Sequence, residues 1–190
     1  MLRTVFAVLL CVASAVHAEI ADSTPSGFTL KFSATVRAQP AEAYRRIVRI
    51  GEWWASDHTY SGDARNMAID ARAGGCFCEK LPGGGAVEHA RVILASPGKT
   101  LRMYGGLGPL QGIAAAGPMT FQLKPEQGGT KLELTYAVTG YLPQGLGPTW
   151  AGPVNDVLGS QFERLKTYLE TGSATSKAAE QPKAQKPPAH

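Results

Sequence analysis

The sequence has few side chains that suit nucleophilic or metal chemistry. It contains four histidines and three cysteines in 190 residues. Because His17 and His190 lie near the ends of the chain, His58 and His89 are the histidines available to a folded site. No nucleophile-elbow pattern is present. A hydrolase built on a Ser-His-Asp triad is therefore disfavoured.

Long apolar runs are also missing. The run from residue 5 to residue 15 is too short to cross a bilayer, which needs about 20 residues. It follows the basic Arg3 and precedes small residues that end at Ala18, a pattern typical of a secretory signal. We therefore expect residues 1–18 to be a signal peptide cleaved after Ala18. The mature protein would be periplasmic or secreted, and not an integral membrane protein.

A strong charge of one sign is absent from the central part of the chain. The formal net charge is +4, but much of the excess lies before residue 19 and in residues 171–190. A nearly balanced domain gives no electrostatic footprint for nucleic acid. The segment 171–190 is rich in Ala, Lys, Gln and Pro, so we expect a disordered tail. We interpret 19–27 as a short N-terminal linker and 28–170 as one folded domain.

Hydrophobic periodicity predicts the elements of that domain. Apolar residues alternate with polar ones over 28–36, which predicts a half-buried strand. A helix follows from Pro40 to near Gly51, and four or five hairpin-connected strands lie between 67 and 138. A last amphipathic helix is predicted from about Pro153 to Glu170. This order predicts an α+β domain in which an antiparallel sheet packs on a long C-terminal helix.

Aromatic side chains make up 8% of the chain, and several lie in predicted loops or at strand ends. The set is Trp53, Trp54, Tyr60, Tyr104, Tyr136 and Tyr141. Packing explains each ring singly, but as a group they could flank the mouth of a cavity. The glycine-rich connection 105–117 follows no βαβ pattern, which argues against a nucleotide cradle. It fits a lid over a cavity, and a plain flexible loop is equally compatible.

The most suggestive cluster of polar side chains lies on the hairpin 76–91. A four-residue turn would place Cys78 opposite His89 and Cys76 opposite Arg91, giving a possible soft metal site on one face. A three-residue turn would instead pair Glu79 with His89 as a carboxylate–imidazole acid/base pair. The sequence does not choose between these registers, and simple packing of the same residues is a third reading.

An internal disulfide between Cys76 and Cys78 is not expected. Residues two apart in a strand lie near the upper end of the usable Cα separation, with parallel side chains. Two free thiols, or a bridge to another molecule, therefore fit the strand better. We expect no resident metal and no cofactor.

The order of elements and several local motifs resemble the START-like or SRPBCC superfamily, which includes polyketide cyclases and activators of a heat-shock-protein ATPase. The motifs are Trp53-Trp54, His58-Thr59-Tyr60-Ser61-Gly62-Asp63, Gly74-Gly75-Cys76-Phe77-Cys78-Glu79 and Gly105-Gly106-Leu107-Gly108-Pro109-Leu110-Gln111. They are similar to those of an exported bacterial subgroup. The resemblance covers about residues 28–170. It implies a helix-grip fold, in which a curved antiparallel sheet wraps around the C-terminal helix and leaves an apolar cavity.

We therefore expect a periplasmic binding or carrier protein whose partner is a small hydrophobic molecule. The predicted ligand-binding residues are Trp53, Trp54, Tyr60, Cys78, Glu79, His89, Arg91, Met103, Leu107, Leu110, Phe121 and Tyr136. Two alternatives stay open. One is a cyclase or dehydratase that uses Glu79 and His89 as acid and base in the same cavity. A weaker one is a partner-binding module that uses the loop 53–63.

Overall fold

The computed structural model describes residues 16–175. Nearly all of the expected signal peptide 1–18 and most of the expected tail 171–190 lie outside the described residues. Within the described part, no helix combines the length and apolar character needed to cross a membrane.

Eight strands form one open antiparallel sheet. They are β1 (His17–Thr24), β2 (Gly27–Val36), β3 (Met67–Ile69), β4 (Cys76–Lys80), β5 (Ala86–Ser96), β6 (Thr100–Gly105), β7 (Ala114–Glu126) and β8 (Gly129–Tyr141). Their order in the sheet is β1-β2-β8-β7-β6-β5-β4-β3. The chain thus crosses once from β2 to the far edge and returns through consecutive hairpins. This confirms the predicted α+β class and antiparallel sheet.

Strand β1 differs from our interpretation of residues 19–27 as a linker. It pairs antiparallel with β2, from His17 opposite Ser33 to Thr24 opposite Gly27. Seven of its eight residues are exposed, so it buries little side-chain surface of its own. Backbone hydrogen bonds to β2 hold this segment in the sheet. The hydrophobic pattern of the segment itself does not predict this pairing.

Two helices pack on one face of the sheet. They are α1 (Pro40–Ile47) and α2 (Leu146–Thr171). With 26 residues, α2 is about 39 Å long. It begins well before Pro153, which lies inside the helix rather than at its start. Gly172 ends it in the left-handed conformation and donates its N–H to the carbonyl of Tyr168 at 2.9 Å.

The core lies between α2 and the concave face of the sheet. In β2 the five alternating apolar residues Phe28, Leu30, Phe32, Ala34 and Val36 are all buried, as their spacing predicts. Phe162 of α2 packs on Phe32, with ring centroids 5.8 Å apart. The long helix gripped by the sheet is the helix-grip arrangement that we expected.

Candidate functional site

A cavity of about 400 Å³ opens between the first half of α2 and the strands β4 and β5. Its helix wall consists of Trp150, Pro153, Val154, Val157 and Leu158. Phe77 and His89 line it from the sheet, and the loop 54–60 closes a third side. This volume falls within the range of about 300–1,000 Å³ that is usual for small-molecule sites.

Contacts from α2 fix the loop 54–60 against the helix. Gln161 is buried, and its side-chain oxygen accepts a hydrogen bond from the backbone N–H of Ala55 at 2.8 Å. Arg164 donates to the carbonyl of Trp53 at 2.9 Å. The hydroxyl of Tyr60 donates to the carbonyl of Gly108 at 3.0 Å, which joins this loop to the connection after β6. These polar contacts hold the walls of the cavity in place.

A β-bulge at His89 determines which side chains of β5 face the cavity. Cys76 pairs with Arg91 and Phe77 with Ala90, but the next pair is Cys78 with Glu88, so His89 is the extra residue. The bulge turns His89 inward beside Ala90, and both are buried. The predicted pair of Cys76 with Arg91 is confirmed, but the predicted partners of His89 are wrong in both registers. Cys78 does not face His89, and Glu79 pairs with Val87 in the strand ladder.

The side chains of Glu79 and His89 nevertheless meet. Nε2 of His89 lies 3.0 Å from Oε2 of Glu79, and the two residues are 5% and 0% exposed. Glu79 also accepts hydrogen bonds from the backbone N–H groups of Tyr60, at 3.1 Å, and of Ser61. The carboxylate therefore joins β4, the bulge and the loop 54–60.

The surroundings favour an ionised Glu79 and a neutral His89. Burial acts to raise the pKa of Glu79, but the hydrogen bonds from Ser61, Tyr60 and His89 outweigh it and leave this pKa below its ordinary 4.5. For His89, burial lowers the pKa below 6.5 and outweighs the opposing effect of Glu79. In a neutral imidazole that donates from Nε2, the proton is on Nε2 and Nδ1 carries a free lone pair.

We expect these two groups to make the domain acid-labile. Since the pKa of each is lowered on folding, the unfolded chain binds more protons than the folded chain just below each ordinary value. The free energy of unfolding should decline as the pH falls through about 6.5, where His89 of the unfolded chain is protonated. Below about 4.5 it should decline further through Glu79. Urea unfolding across this pH range measures both declines.

The variant His89→Phe is the control for the upper part of this pH dependence. It should unfold with a flatter pH profile between about 4.5 and 6.5 than the wild type, because it has no imidazole to titrate. Equal slopes in the two proteins would show that His89 does not contribute.

On the outer face of the sheet, a disulfide joins Cys76 and Cys78, which corrects our expectation of free thiols. Their Cα atoms are 5.4 Å apart, within the range of about 4.4–6.8 Å that disulfides accept. In a regular strand this separation would be about 6.6 Å. The register shifts between Phe77 and Cys78, so the strand pair is irregular where the separation is short.

Within residues 16–175, one group of cysteine and carboxylate side chains is close enough to share a metal ion. It consists of Cys76, Cys78 and Glu88, with ligand atoms within 4.8 Å of one another. The two sulfurs are bonded to each other, whereas metal binding needs thiolates. The Glu88 carboxylate already forms a hydrogen bond and an ion pair with Arg91. His89 lies on the opposite face, so the thiol and imidazole site that we considered does not form.

Four of the predicted ligand-binding residues line the cavity: Trp54, Tyr60, His89 and Leu107. Glu79 lies behind His89. Four others are buried outside the cavity lining, namely Trp53, Met103, Phe121 and Tyr136. Leu110 is also buried and lines a separate, more open depression. Cys78 and Arg91 belong to the outer face of the sheet.

Much of the cavity wall is absent from our predicted site. Trp150, Val154, Val157 and Leu158 of α2 are the clearest cases. The last three lie within the amphipathic helix that we predicted from about Pro153 to Glu170, on which we expected the sheet to pack. Only Leu158 is fully buried, while Val154 and Val157 are half-buried and line the cavity. The sequence signal for this wall is the row of apolar residues on α2, which includes more positions than the sheet covers.

The glycine-rich connection 105–117 is shorter than predicted, because β7 already begins at Ala114. Leu107, Gly108 and Pro109 line the cavity. The backbone N–H of Leu107 donates to the hydroxyl of Tyr136 at 3.2 Å, and that hydroxyl donates to the carbonyl of Gly105 at 3.0 Å. A buried side chain therefore holds the start of this connection.

Solved structures of other proteins share this architecture. A protein from Rhizobium leguminosarum, described only as uncharacterised, is 18% identical over 83% of this chain and 98% of its own, with a TM-score of 0.56. CalU16 from Micromonospora echinospora is 16% identical over 88% of each chain, with a TM-score of 0.54. The Aha1 dimer from Colwellia psychrerythraea gives 18% identity over 76% of this chain and 97% of its own, with a TM-score of 0.52.

At these identities the likeness shows the fold alone. It agrees with the helix-grip arrangement of a curved sheet and a C-terminal helix. No protein-family model and no curated protein matches the sequence.

Proposed function

We propose that the domain binds a small hydrophobic molecule in the cavity between α2 and the sheet. The observation that carries this proposal is the cavity itself, which is about 400 Å³ in volume. Its walls are mainly apolar and aromatic, with the buried imidazole of His89 among them. Concave apolar sites with a few placed polar groups are the usual form of ligand sites.

The energetics favour an apolar ligand. A ligand that buries about 300 Å² of apolar surface gains about 7.5 kcal/mol at 25 cal/mol per Å². Part of this gain is lost to the translational and rotational freedom that association removes. Micromolar binding, about −8 kcal/mol, therefore needs close packing or one good polar contact in addition.

We propose further that the domain belongs to the START-like superfamily and acts as an exported carrier. The motifs around Trp53-Trp54 and the pattern of the first 18 residues support this assignment. A disulfide between Cys76 and Cys78 is compatible with it, because disulfides persist in oxidising compartments such as the periplasm.

A variant that fills the cavity tests the proposal. Val154→Trp places an indole in the space that the ligand would occupy, on a half-buried position of α2. We expect the affinity for the neutral dye N-phenyl-1-naphthylamine, followed by its fluorescence, to fall about tenfold or more. Equal affinity in wild type and variant would place the dye elsewhere.

The matched control is Asp156→Trp, which adds the same ring on the exposed side of the same helix. It should bind the dye as the wild type does. Native mass spectrometry and lipid extraction of protein purified from its own host should also recover a bound apolar molecule. If no molecule is recovered and the wild type binds no dye, the proposed function is wrong.

A second candidate function is acid/base catalysis in the same cavity. It is favoured by the neutral imidazole of His89, which an ionised carboxylate orients at the cavity wall. Glu79 would be a positioning residue in such an enzyme, because its oxygens already accept three hydrogen bonds. A ligand recovered chemically changed after incubation with wild type, but unchanged with His89→Phe, would support catalysis.

A further inference from the structure

Polarity is distributed unevenly around the cavity. Asp57, His58 and Thr59 line it from the loop on the mouth side, and the first two are exposed to solvent. His89 lines it from the sheet and is only 5% exposed. A ligand seated in the cavity therefore meets one buried polar side chain, the imidazole of His89.

The hydrogen bonds of Glu79 determine which ring nitrogen of His89 is left to accept a hydrogen bond. Glu79 has the backbone N–H groups of Tyr60 and Ser61 as donors, and its third donor is Nε2 of His89. An ionised carboxylate only accepts, so Nε2 must carry the imidazole proton. Nδ1 is then an acceptor, and the side-chain hydrogen bond of this ring within residues 16–175 is the one from Nε2 to Glu79.

Aromatic rings hold the imidazole in this orientation. Phe77 lies with its ring centroid 4.8 Å from that of His89, and the ring of Tyr60 lies 5.9 Å away. Both aromatic residues also line the cavity. The imidazole cannot exchange its two nitrogens without leaving Glu79 unpaired and moving against these rings.

We propose that the cavity selects an uncharged apolar molecule that carries a hydroxyl group, which donates its hydrogen bond to Nδ1 of His89. This inference rests on the proposed function and names the class of ligand. A long-chain alcohol, a phenol and a sterol all share this chemistry.

Other polar end groups fit this site less well. An ether or ester offers only acceptor atoms, so Nδ1 would stay unpaired beside it. A carboxylate would direct its lone pairs at the lone pair of Nδ1, with the charge of Glu79 just beyond the ring. An unpaired buried anion is costly, so a carboxylate at His89 is disfavoured at neutral pH. A hydrocarbon leaves Nδ1 without a partner as well.

Four compounds with the same ring system test this inference on the full-length protein. They are 2-naphthol, 2-methoxynaphthalene, naphthalene and 2-naphthoate, each competing with N-phenyl-1-naphthylamine. We expect 2-naphthol to bind about tenfold more tightly than the ether and the hydrocarbon, and 2-naphthoate not to compete. Hydrophobicity alone predicts the reverse order, with naphthalene tighter than 2-naphthol, and that result would overturn the inference.

The variant His89→Phe removes the acceptor and keeps an aromatic ring of similar size. It should lose the preference for 2-naphthol over 2-methoxynaphthalene while still binding naphthalene. If this variant does not fold, the ¹⁵N NMR spectrum of the wild-type protein provides a second test. The ¹⁵N resonance of Nδ1 should have the shift of an unprotonated ring nitrogen and should move when 2-naphthol is added, but not with naphthalene.

The results separate this inference from the proposed function. If all four compounds compete equally and Nδ1 does not respond, the hydroxyl preference is wrong and the apolar site stands. If none of the compounds competes and the wild type does not bind the dye, the proposed function itself is wrong.

Discussion

Replacing Glu79 by alanine should lower the free energy of unfolding by about 3 kcal/mol or more. Each buried donor that is left without its acceptor costs about 1–3 kcal/mol. Here three donors lose their acceptor: the backbone N–H groups of Tyr60 and Ser61, and Nε2 of His89. Urea denaturation of wild type and variant measures the loss.

The same hairpin offers a matched control. Glu88 is exposed and pairs with Arg91 on the outer face of the sheet. Because solvent screens such a pair, Glu88→Ala should cost less than about 1 kcal/mol. If the two alanine variants were equally stable, Glu79 would not be the buried link between the strands and the loop 54–60.

The Glu79 variant should also affect the cavity. Without the Glu79 acceptor, the tautomer protonated at Nε2 of His89 is no longer stabilised. The ring can then rotate or change tautomer. The backbone N–H groups of Tyr60, the last residue of the loop 54–60, and of Ser61 lose their acceptor at the same time. We therefore expect weaker discrimination between ligands that donate and ligands that only accept.

Most of the sheet could be predicted from the sequence because its inward faces alternate with period two. Strand β2 shows this clearly, with five inward apolar residues over 28–36. Strand β1 could not be predicted in this way. Its single large apolar residue, Ile20, is 44% exposed, so the strand depends on pairing with β2 rather than on burial.

We predicted the start of α2 at about Pro153, which is too late, because of the residue types in this segment. Pro153 is a typical first residue of a helix, and the residues before it include several glycines and prolines, which are poor helix formers. In the structure, Leu146 and Ala151 are buried, and this packing draws the earlier residues into the helix. Tertiary contacts therefore outweighed propensity along the segment that carries Trp150 into the cavity wall.

The bulge at His89 left a signal in the sequence that we did not use. Val87 and Val92 of β5 both point to the inner side of the sheet, but they are five positions apart. A regular strand would place them on opposite faces, so an extra residue must lie between them. This change of phase explains why Glu79 and His89 meet, although neither regular register is present.

Room for that bulge comes from Gly105 at the end of β6. A Cβ atom at this position would lie 2.7 Å from the Cα of Ala90 and would also contact the carbonyl oxygen of His89. Both are backbone atoms of the bulge, so no side-chain rotation can relieve the overlap. Because Gly105 of β6 has no side chain, the backbone of β5 can turn inward at His89.

Replacing Gly105 by alanine should therefore destabilise the domain by about 2–3 kcal/mol, the usual cost of overpacking. The displaced bulge should also shift the ring of His89 and weaken the discrimination between 2-naphthol and 2-methoxynaphthalene. Gly112→Ala is the control, because a Cβ there meets nothing within 4 Å. It should unfold at the same urea concentration as the wild type or slightly above. Should Gly105→Ala match that control in both stability and ligand preference, the bulge does not depend on the close approach of β6.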